Sequence, residues 1–336
     1  MVTAPEEYKD KSKKVKAMNE LLNKISKIGI VPVVVLEDAN KAVSVAKALQ
    51  KGGIDCAEVT FRTAAAEEAI QNIARECPDM LLGAGTVLTT AQVDAAVRTG
   101  AQFIVTPGYN PDVVNYCVSK GIPIVPGCMD TNAIEMALAA GLDTVKFFPA
   151  EQAGGVKMLK ALAGPYVNLH FMPTGGINKD NLAEYLAFKK VVACGGSWMV
   201  KKDLIENDDY DGIAQLAQEA VMRMLDFRVV HVGINNSSRE EEDGQAKRIE
   251  EIFGFAQDKH SASTFASAGI EVCGKRFPGT HGHIAIGTSD CERAMYHLQK
   301  KGVLFDEETK KYKNGRLLSI YLKEEIGGFA FHLVEK

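Results

Sequence analysis

The sequence lacks any long apolar segment, and this absence excludes several kinds of protein. No run approaches the roughly 18 to 20 apolar residues that a membrane-spanning helix needs. The first twenty residues are rich in lysine and contain no apolar stretch followed by small residues, so they predict no secretory signal. We therefore expect a cytoplasmic protein without membrane contact.

Cysteine spacing and charge exclude further classes. The seven cysteines lack the Cys-x-x-Cys spacing of zinc sites and show no disulfide framework. The formal net charge is −4, and long basic runs are absent. A protein without a basic surface has no electrostatic means of holding nucleic acid. The expected partners are therefore small molecules.

Short β-branched runs alternate with amphipathic stretches between residues 30 and 197, a pattern typical of βα units on a parallel sheet. The eight predicted strands are Val31–Leu36, Ala57–Arg62, Leu81–Val87, Phe103–Gly108, Pro123–Gly127, Thr144–Pro149, His170–Gly175 and Val191–Gly196. This repetition favours a (β/α)8 TIM barrel. The alternative, a doubly wound sheet, has a glycine fingerprint after its first strand, whereas Glu37 and Asp38 stand there.

The length of 336 residues predicts about two domains. A helix predicted over Tyr210–Leu225 completes the barrel, so we assign an N-terminal extension to residues 1–18, the barrel to 19–226 and a smaller α+β domain to 227–336. The elements predicted in this domain are Arg228–Ile234 (strand), Gly244–Phe253 (helix), Ser263–Gly274 (short strands), Gly282–Gly287 (strand), Cys291–Lys301 (helix), Leu317–Leu322 (strand) and Phe329–Val334 (strand). We interpret them as two βαβββ modules.

Polar residues at the ends of two predicted strands are candidates for chemistry, because barrel enzymes build their sites there. Glu58 and Arg62 share one face of strand two and could transfer a proton and bind a carboxylate. Taken alone, this pair is better explained as a structural ion pair. Lys146 is the single lysine of strand six. Desolvation favours the neutral amine that forms Schiff bases, although a lysine at a strand end can also extend to water.

The last two predicted strands end in paired glycines, at Gly175-Gly176 and Gly195-Gly196. Each pair lets backbone N–H groups approach an anion, and phosphate sites of barrels commonly lie after these strands. A single pair would indicate only a turn. Two pairs at these positions favour a phosphorylated substrate.

Together these segments resemble the family of 2-keto-3-deoxy-6-phosphogluconate (KDPG) and 4-hydroxy-2-oxoglutarate (KHG) aldolases over about residues 19–225. The motifs are Glu-Val-Thr-Phe-Arg-Thr (58–63), Gly-Ala-Gly-Thr-Val (83–87), Pro-Gly (107–108), Lys-Phe-Phe-Pro-Ala-Glu (146–151), Pro-Thr-Gly-Gly-Ile (173–177) and Gly-Gly-Ser-Trp (195–198). One departure lies at residues 126–130, Pro-Gly-Cys-Met-Asp, where the family more often has small hydroxyl or apolar residues. It could shift the aldehyde preference.

The resemblance implies a class I aldolase, a lyase in which Lys146 forms the Schiff base and Glu58 is the general acid and base. The implied substrate-binding residues are Arg62 and Thr174 for the carboxylate, Thr86, Pro107 and Phe148 for the pyruvate pocket, and Gly175, Gly176, Gly196 and Ser197 for the phosphate. The implied reaction cleaves KDPG to pyruvate and glyceraldehyde 3-phosphate. A second implied reaction cleaves 4-hydroxy-2-oxoglutarate to pyruvate and glyoxylate. The family implies a homotrimer and no cofactor, and another 2-keto-4-hydroxy acid remains an alternative substrate.

Residues 227–336 resemble the glyoxalase or vicinal-oxygen-chelate fold, in which metal ligands come from the first and last strands of each module. The matching residues are His231, Glu271, His283 and His332, a set that suits divalent zinc, nickel, cobalt or iron. His332 departs from the more usual glutamate. The alternatives are ordinary strand residues without metal, a regulatory or oligomerising domain, and a chain that acts mainly as a metal or metabolite sensor.

Overall fold

The computed structural model describes residue 18 and residues 20–336. The predicted extension at residues 1–18 lies outside the described residues, apart from residue 18. The chain divides into two compact units between Met224 and Leu225, close to the predicted boundary. Within the described residues, no helix is both long enough and apolar enough to cross a bilayer.

The first unit is an α/β unit with short parallel strands. Its described strands are β1 (Ile30–Val34), β2 (Cys56–Thr60), β3 (Leu81–Gly85), β4 (Phe103–Val105), β5 (Ile124–Val125), β6 (Thr144–Phe147), β7 (His170–Pro173) and β8 (Cys194–Gly196). Each overlaps one predicted strand. Six of them form a sheet in the order β5-β4-β3-β2-β1-β8, and β6 pairs with β7.

Single bridges connect the two groups of strands, so the parallel sheet is curled. Gly127, just after β5, bridges to Lys146 of β6, and Thr174, just after β7, bridges to Gly195 of β8. Large apolar side chains such as Phe103, Phe147 and Phe171 fill the interior and are fully buried. Curling brings the carboxyl ends of distant strands to one side of the unit.

Helices follow the strands along the chain. They are α1 (20–28), α2 (Ala42–Lys51), α3 (Ala66–Glu76), α4 (Thr90–Thr99), α5 (Pro111–Lys120), α6 (Thr131–Ala139), α7 (Gly155–Ala163), α8 (Leu182–Ala187), α9 (Lys202–Glu206) and α10 (Tyr210–Leu225). Local sequence fixes several ends: Asn110 caps α5, Pro111 occupies its first turn, and Gly121 ends it in a left-handed conformation. The short helix α9 was not predicted.

The second unit is mostly sheet. It contains β9 (Arg228–Asn235), α11 (Arg239–Phe253), β10 (Gln257–Lys259), β11 (Ser263–Ala266), β12 (Ile270–Cys273), β13 (Gly282–Thr288), α12 (Cys291–Gln299), β14 (Phe305–Lys313), β15 (Arg316–Ile326) and β16 (Phe329–Glu335). Its strands form one eight-stranded sheet in the order β10-β11-β12-β9-β13-β16-β15-β14. β9 and β13 pair antiparallel at the centre, and each has a parallel neighbour, β12 or β16.

Three details of the second unit differ from the sequence prediction. Strands β10 and β14 were not predicted. Helix α11 begins at Arg239 rather than Gly244, because Ser238 caps it by accepting a hydrogen bond from the amide of Glu241. The strand predicted at Leu317–Leu322 extends to Ile326.

Candidate functional site

Lys146 and Glu58 form a buried ion pair inside the first unit. The Lys146 Nζ atom lies 3.2 Å from Glu58 Oε1, and the two side chains are 5% and 0% exposed. Among the described residues, the second carboxylate oxygen, Oε2, has no hydrogen-bond partner. Phe148 covers the amine, with its ring centre 5.4 Å from Nζ. An amine and a carboxylate at this distance can exchange a proton, and Oε2 is left to receive a further donor.

A glycine makes room for the carboxylate. A β-carbon built on Gly85 would lie 2.1 Å from Glu58 Oε1, so no other residue fits at position 85 without displacing Glu58. Gly195 likewise makes room for Thr174, because a β-carbon built on Gly195 would lie 2.2 Å from Thr174 Oγ1. Sequence reasoning missed both functions, although the Gly-Ala-Gly run of β3 offered a signal for the first.

Arg62 lies beyond the strand in which it was predicted, and this is a correction. Strand β2 ends at Thr60, so Arg62 stands in the following turn with an exposed side chain. Its Nε donates to Thr86 Oγ1 at 3.2 Å. Thr86 has a φ of 55°, an uncommon left-handed conformation for a threonine. The pair therefore belongs to the rim of the site rather than to its buried interior.

Thr174 and the glycine pairs lie at the ends of β7 and β8, as predicted. Thr174 is buried, and its Oγ1 has no hydrogen-bond partner within the part of the chain that the structure describes. Gly175 approaches Phe148, whose ring would lie 3.2 Å from a β-carbon at position 175. Gly176 and Ser197 are exposed, whereas Gly196 is buried beside the ring of Trp198.

Pro107 belongs to the loop after β4, where it contacts the loop after β5. A β-carbon on Gly127 would lie 2.2 Å from the Pro107 carbonyl oxygen. The Thr106 hydroxyl accepts from the amide of Gly127 at 3.2 Å, and this bond holds the two loops together. Gly127 also forms a β-bridge with Lys146, so Pro107 contacts a residue that pairs directly with the strand of the lysine.

A cavity of about 500 Å3 opens beside Ser197. Val33 of β1 lines it, and Val33 stands in register with Glu58 on the neighbouring strand. Its other apolar walls include Trp198 and Ile205, and Lys201 lies at its edge. Lys146 and Glu58 do not line it, so only the register of β1 with β2 relates the cavity to the ion pair.

The second unit holds a separate cluster of the predicted residues His231, Glu271, His283 and His332. Donor atoms of the three histidines all lie within 4.8 Å of one another. Glu271 Oε2 lies 3.3 Å from His231 Nε2 and 3.1 Å from His283 Nε2. Cys273, which was not predicted, groups with Glu271 and His283 within the same limit. The strand pairing of β9, β12, β13 and β16 brings these residues together.

Several atoms of this cluster are buried and have no hydrogen-bond partner in residue 18 or residues 20–336. They are Nδ1 of His283 and both ring nitrogens of His332. Burial, together with the neighbouring His283 and His231, lowers the pKa of His332 to about 3. Burial acts to raise the pKa of Glu271, but hydrogen bonds from His231, His283 and Ser263 outweigh it and hold that pKa well below its ordinary value. The cluster thus presents the neutral imidazole of His332 and the carboxylate of Glu271, the forms in which these groups bind cations.

Comparison with known proteins places the first unit in a family. Residues 21–216 match the family described as KDPG and KHG aldolase. The 2-dehydro-3-deoxy-phosphogluconate aldolase of Treponema pallidum is 50% identical over 204 residues, which is 61% of this chain and 97% of that protein. The KHG/KDPG aldolase of Escherichia coli K12 is 45% identical over 192 residues, 57% of this chain and 90% of that protein.

Solved structures agree with this assignment. The KDPG aldolase of Legionella pneumophila, solved with pyruvate captured as a covalent carbinolamine intermediate, superposes with a TM-score of 0.58 at 36% identity and covers 59% of this chain and 97% of that one. The Zymomonas mobilis enzyme with 3-phosphoglycerate gives a TM-score of 0.56 at 37% identity, with 59% and 94% coverage. With its family motifs, its curled parallel sheet and its buried lysine, the chain belongs to the KDPG and KHG aldolases through residues 21–216.

Proposed function

We propose that the first unit is a class I aldolase that cleaves KDPG to pyruvate and glyceraldehyde 3-phosphate. The buried pair of Lys146 and Glu58, 3.2 Å apart in a chain of this family, carries the proposal. The relatives named above support the substrate, and the dual name of the E. coli protein supports 4-hydroxy-2-oxoglutarate as a second one, cleaved to pyruvate and glyoxylate.

The pair supplies what imine chemistry needs. Glu58 can take a proton from Lys146, so that the neutral amine attacks the C2 carbonyl to form a carbinolamine. Glu58 then returns this proton to the carbinolamine hydroxyl, which leaves as water to give the iminium and restores the Glu58 carboxylate. Loss of the C4 hydroxyl proton to Glu58 then breaks the C3–C4 bond, and its electron pair passes to the iminium to form an enamine while the aldehyde departs. Protonation at C3 and hydrolysis release pyruvate and restore the amine. Because the iminium supplies the positive charge, these steps call for no cofactor.

The binding roles follow from the positions described above. Arg62 and Thr174 bind the substrate carboxylate, and the unpartnered Oγ1 of Thr174 supports this role. Thr86, Pro107 and Phe148 line the pyruvate pocket, and the ring of Phe148 above the amine fits this role. The residues proposed for the phosphate are Gly175, Gly176, Gly196 and Ser197. The adjoining cavity provides room for the distal part of the substrate.

We extend the proposal to architecture, assembly and location. The bridges from β5 to β6 and from β7 to β8 support a closed (β/α)8 barrel. The homotrimer typical of the family remains a proposal, which light scattering of the purified chain tests. A cytoplasmic location is in keeping with seven buried cysteines that form no disulfide.

Borohydride trapping tests the aldolase. Incubation with pyruvate and borohydride, followed by peptide mass spectrometry, should place a reduced pyruvyl adduct on Lys146. The Lys146→Ala variant should give none, and Lys179→Ala, which removes an exposed lysine, should label normally. An adduct on another lysine would overturn the assignment of the Schiff base. Cleavage rates with phosphorylated and unphosphorylated substrates then test the phosphate site, because equal rates would contradict it.

We also propose that residues 227–336 form a glyoxalase-like domain of two βαβββ modules. The sheet order supports this, since β10-β11-β12-β9 and β14-β15-β16-β13 repeat one arrangement on either side of the centre. The proposed ligands of a divalent zinc, nickel, cobalt or iron ion are His231, Glu271, His283 and His332. The unpartnered nitrogens of His332 fit such an ion, because a ligand nitrogen that faces a cation needs no protein partner.

Metal analysis tests this second proposal. The purified chain, stripped with a chelator and reconstituted with each ion in turn, should retain one equivalent after desalting. His231→Ala should lose it, while His260→Ala, which alters an exposed histidine outside the cluster, should keep it. Absence of retained metal in the unaltered chain would overturn the site.

A further inference from the structure

A buried tyrosine and a carboxylate flank the glycine loop that follows β7. Tyr185 of α8 is only 1% exposed, and its hydroxyl donates a short hydrogen bond to Oε1 of Glu151. Burial raises the pKa of Tyr185, and the bond to Glu151 raises it further, so the hydroxyl stays protonated and keeps donating. The pair links the loop after β6 to a helix that begins beyond the glycines.

Glu151 supports the loop directly. Its amide donates to the carbonyl oxygen of Gly175 at 3.1 Å. Its Cγ would lie 2.5 Å from a β-carbon at position 176, so the side chain packs against the bare α-carbon of Gly176. Gly176 also has a φ of 80°, which favours glycine. The carboxylate therefore lies behind the loop in a defined place.

The other side of the loop is held by amides. The carbonyl oxygen of Gly176 accepts from Asn178 Nδ2 at 3.3 Å and from Asn181 Nδ2 at 3.1 Å. In a trans peptide the N–H points opposite to the carbonyl. The carbonyl oxygens of Gly175 and Gly176 are directed toward their donors in the protein. The N–H groups of Gly176 and Ile177 are therefore directed away from those donors. Within the described residues, the amide of Gly176 has no acceptor.

Tyr185 also controls the direction in which the Glu151 carboxylate points. A carboxylate beside a loop that binds phosphate would repel the phosphate if it turned toward it. The hydrogen bond from Tyr185 holds the carboxylate toward α8 instead. The same bond fixes the side chain that packs behind Gly176.

We propose that Tyr185 and Glu151 are positioning residues that aim the Gly175–Gly176 loop at the distal phosphate of the substrate. This inference rests on the proposed aldolase function. The two residues act on the affinity for the phosphorylated part and not on imine formation at Lys146. Removal of the tyrosine hydroxyl should therefore weaken binding of phosphorylated substrates selectively.

Steady-state kinetics of Tyr185→Phe test this with KDPG and with unphosphorylated 2-keto-3-deoxygluconate. The KM for KDPG should rise about tenfold, the loss expected for one hydrogen bond to a charged group, with kcat unchanged. The KM for the unphosphorylated acid should stay the same. Tyr166→Phe is the matched control, because the Tyr166 hydroxyl donates to Glu135 in the same manner elsewhere in the unit. Equal losses for both acids, or no loss, would overturn the proposal.

Two variants of Glu151 test the same proposal in case Tyr185→Phe does not fold. Glu151→Gln keeps an acceptor for Tyr185 and the packing against Gly176, so its KM for KDPG should remain near that of the unaltered chain, whereas Glu151→Ala should raise it about tenfold. Borohydride trapping with pyruvate should succeed in all variants. If the unaltered chain cleaves neither acid, both proposals fail. If it prefers KDPG and Glu151→Ala keeps that preference, only the positioning role fails.

Discussion

The two units each bury a cluster of ionisable side chains, but the clusters differ in how their charges are balanced. In the first unit one ammonium faces one carboxylate, and the pair is neutral as a whole. In the second unit three imidazoles converge on one another, and two ring nitrogens of His332 have no partner. Among the described residues, Glu58 Oε2 also lacks a partner, but Lys146 balances its charge. The buried nitrogens of His332 have no such compensation, so they are costly unless something binds them.

The clusters also differ in how the chain encodes them. Glu58, Lys146 and the glycine pairs sit in short contiguous motifs at strand ends, and such motifs match a family. The histidines of the second unit lie far apart in the chain, and only the pairing of β9, β13 and β16 joins them. The sequence analysis named both sets, but the first stands in contiguous motifs, whereas the second consists of single residues within predicted strands.

The most damaging change for the first cluster should be Lys146→Ala. Cleavage of KDPG should fall by more than about 10⁴-fold, because removing a covalent nucleophile can cost on the order of 10⁶ in kcat. The variant should also melt earlier, since Glu58 would remain buried without its partner. Stopped assays over long incubations check the rate, and Lys146→Met, which fills the space, separates folding from chemistry. A rate within tenfold of the unaltered chain would show that the lysine is not the nucleophile.

Glu58→Gln should rank second. General acid–base catalysis contributes about 10²–10⁴-fold, so kcat should drop by that range while KM changes little. The amide keeps the shape beside Gly85 and can still contact Lys146. Rapid-quench measurement of the enamine step locates the loss. A normal kcat would transfer the proton-transfer role to another group.

The contrast between the units predicts that their functions separate. His283→Ala should weaken binding of the proposed metal by about 100-fold or more, because losing even a group that only supports a ligand costs about 10 to 100-fold. KDPG cleavage should be unaffected. Competition with a chromogenic chelator measures the first quantity and a coupled assay the second. If His283→Ala also lost aldolase activity, the two clusters would depend on each other, and the prediction of separate functions would be wrong.

Gly85→Ala should have the smallest effect of the four. The added methyl group meets Glu58 Oε1, so the free energy of unfolding should fall by about 1–3 kcal/mol, as overpacking usually costs. Turnover should drop as well, because the carboxylate must shift away from Lys146. Chemical denaturation and kinetics on one preparation check both, and Gly108→Ala, where a β-carbon meets nothing within 4 Å, is the matched control. Full activity would mean that the carboxylate tolerates displacement.

Sequence reasoning located all eight strands of the first unit because each lies in a short buried run, although β3, β7 and β8 themselves contain no β-branched residue. It missed β10 and β14 for a physical reason: both are edge strands of the sheet, and their sequences, Gln-Asp-Lys and Phe-Asp-Glu-Glu-Thr-Lys-Lys-Tyr-Lys, are charged. The start of α11 was missed similarly, since residues 239–243 are polar and show no apolar period. Charge at an edge or helix start hides the periodicity on which such predictions depend.

Within the site, the positions of Lys146, Glu58 and the glycine pairs in the predicted strands were enough to predict that these residues lie near one another. The extent of β2 was overestimated, so Arg62 was assigned to the strand face instead of the turn at the rim. The contact of Glu151 with Tyr185 could not be predicted, because the two residues belong to different elements and no periodicity relates them. Distances between elements come from packing, which a single sequence does not record.

The glycines beside the ion pair have a consequence for engineering. Because Gly85 and Gly195 leave the space that Glu58 and Thr174 occupy, varying them in a library would yield mostly inactive clones. The cavity beside Ser197 offers a better target, since Val35 and Lys201 line it with exposed side chains. Under the proposed aldolase function, substitutions at these positions would change the preference for the aldehyde. Lys146 and Glu58 would keep their positions.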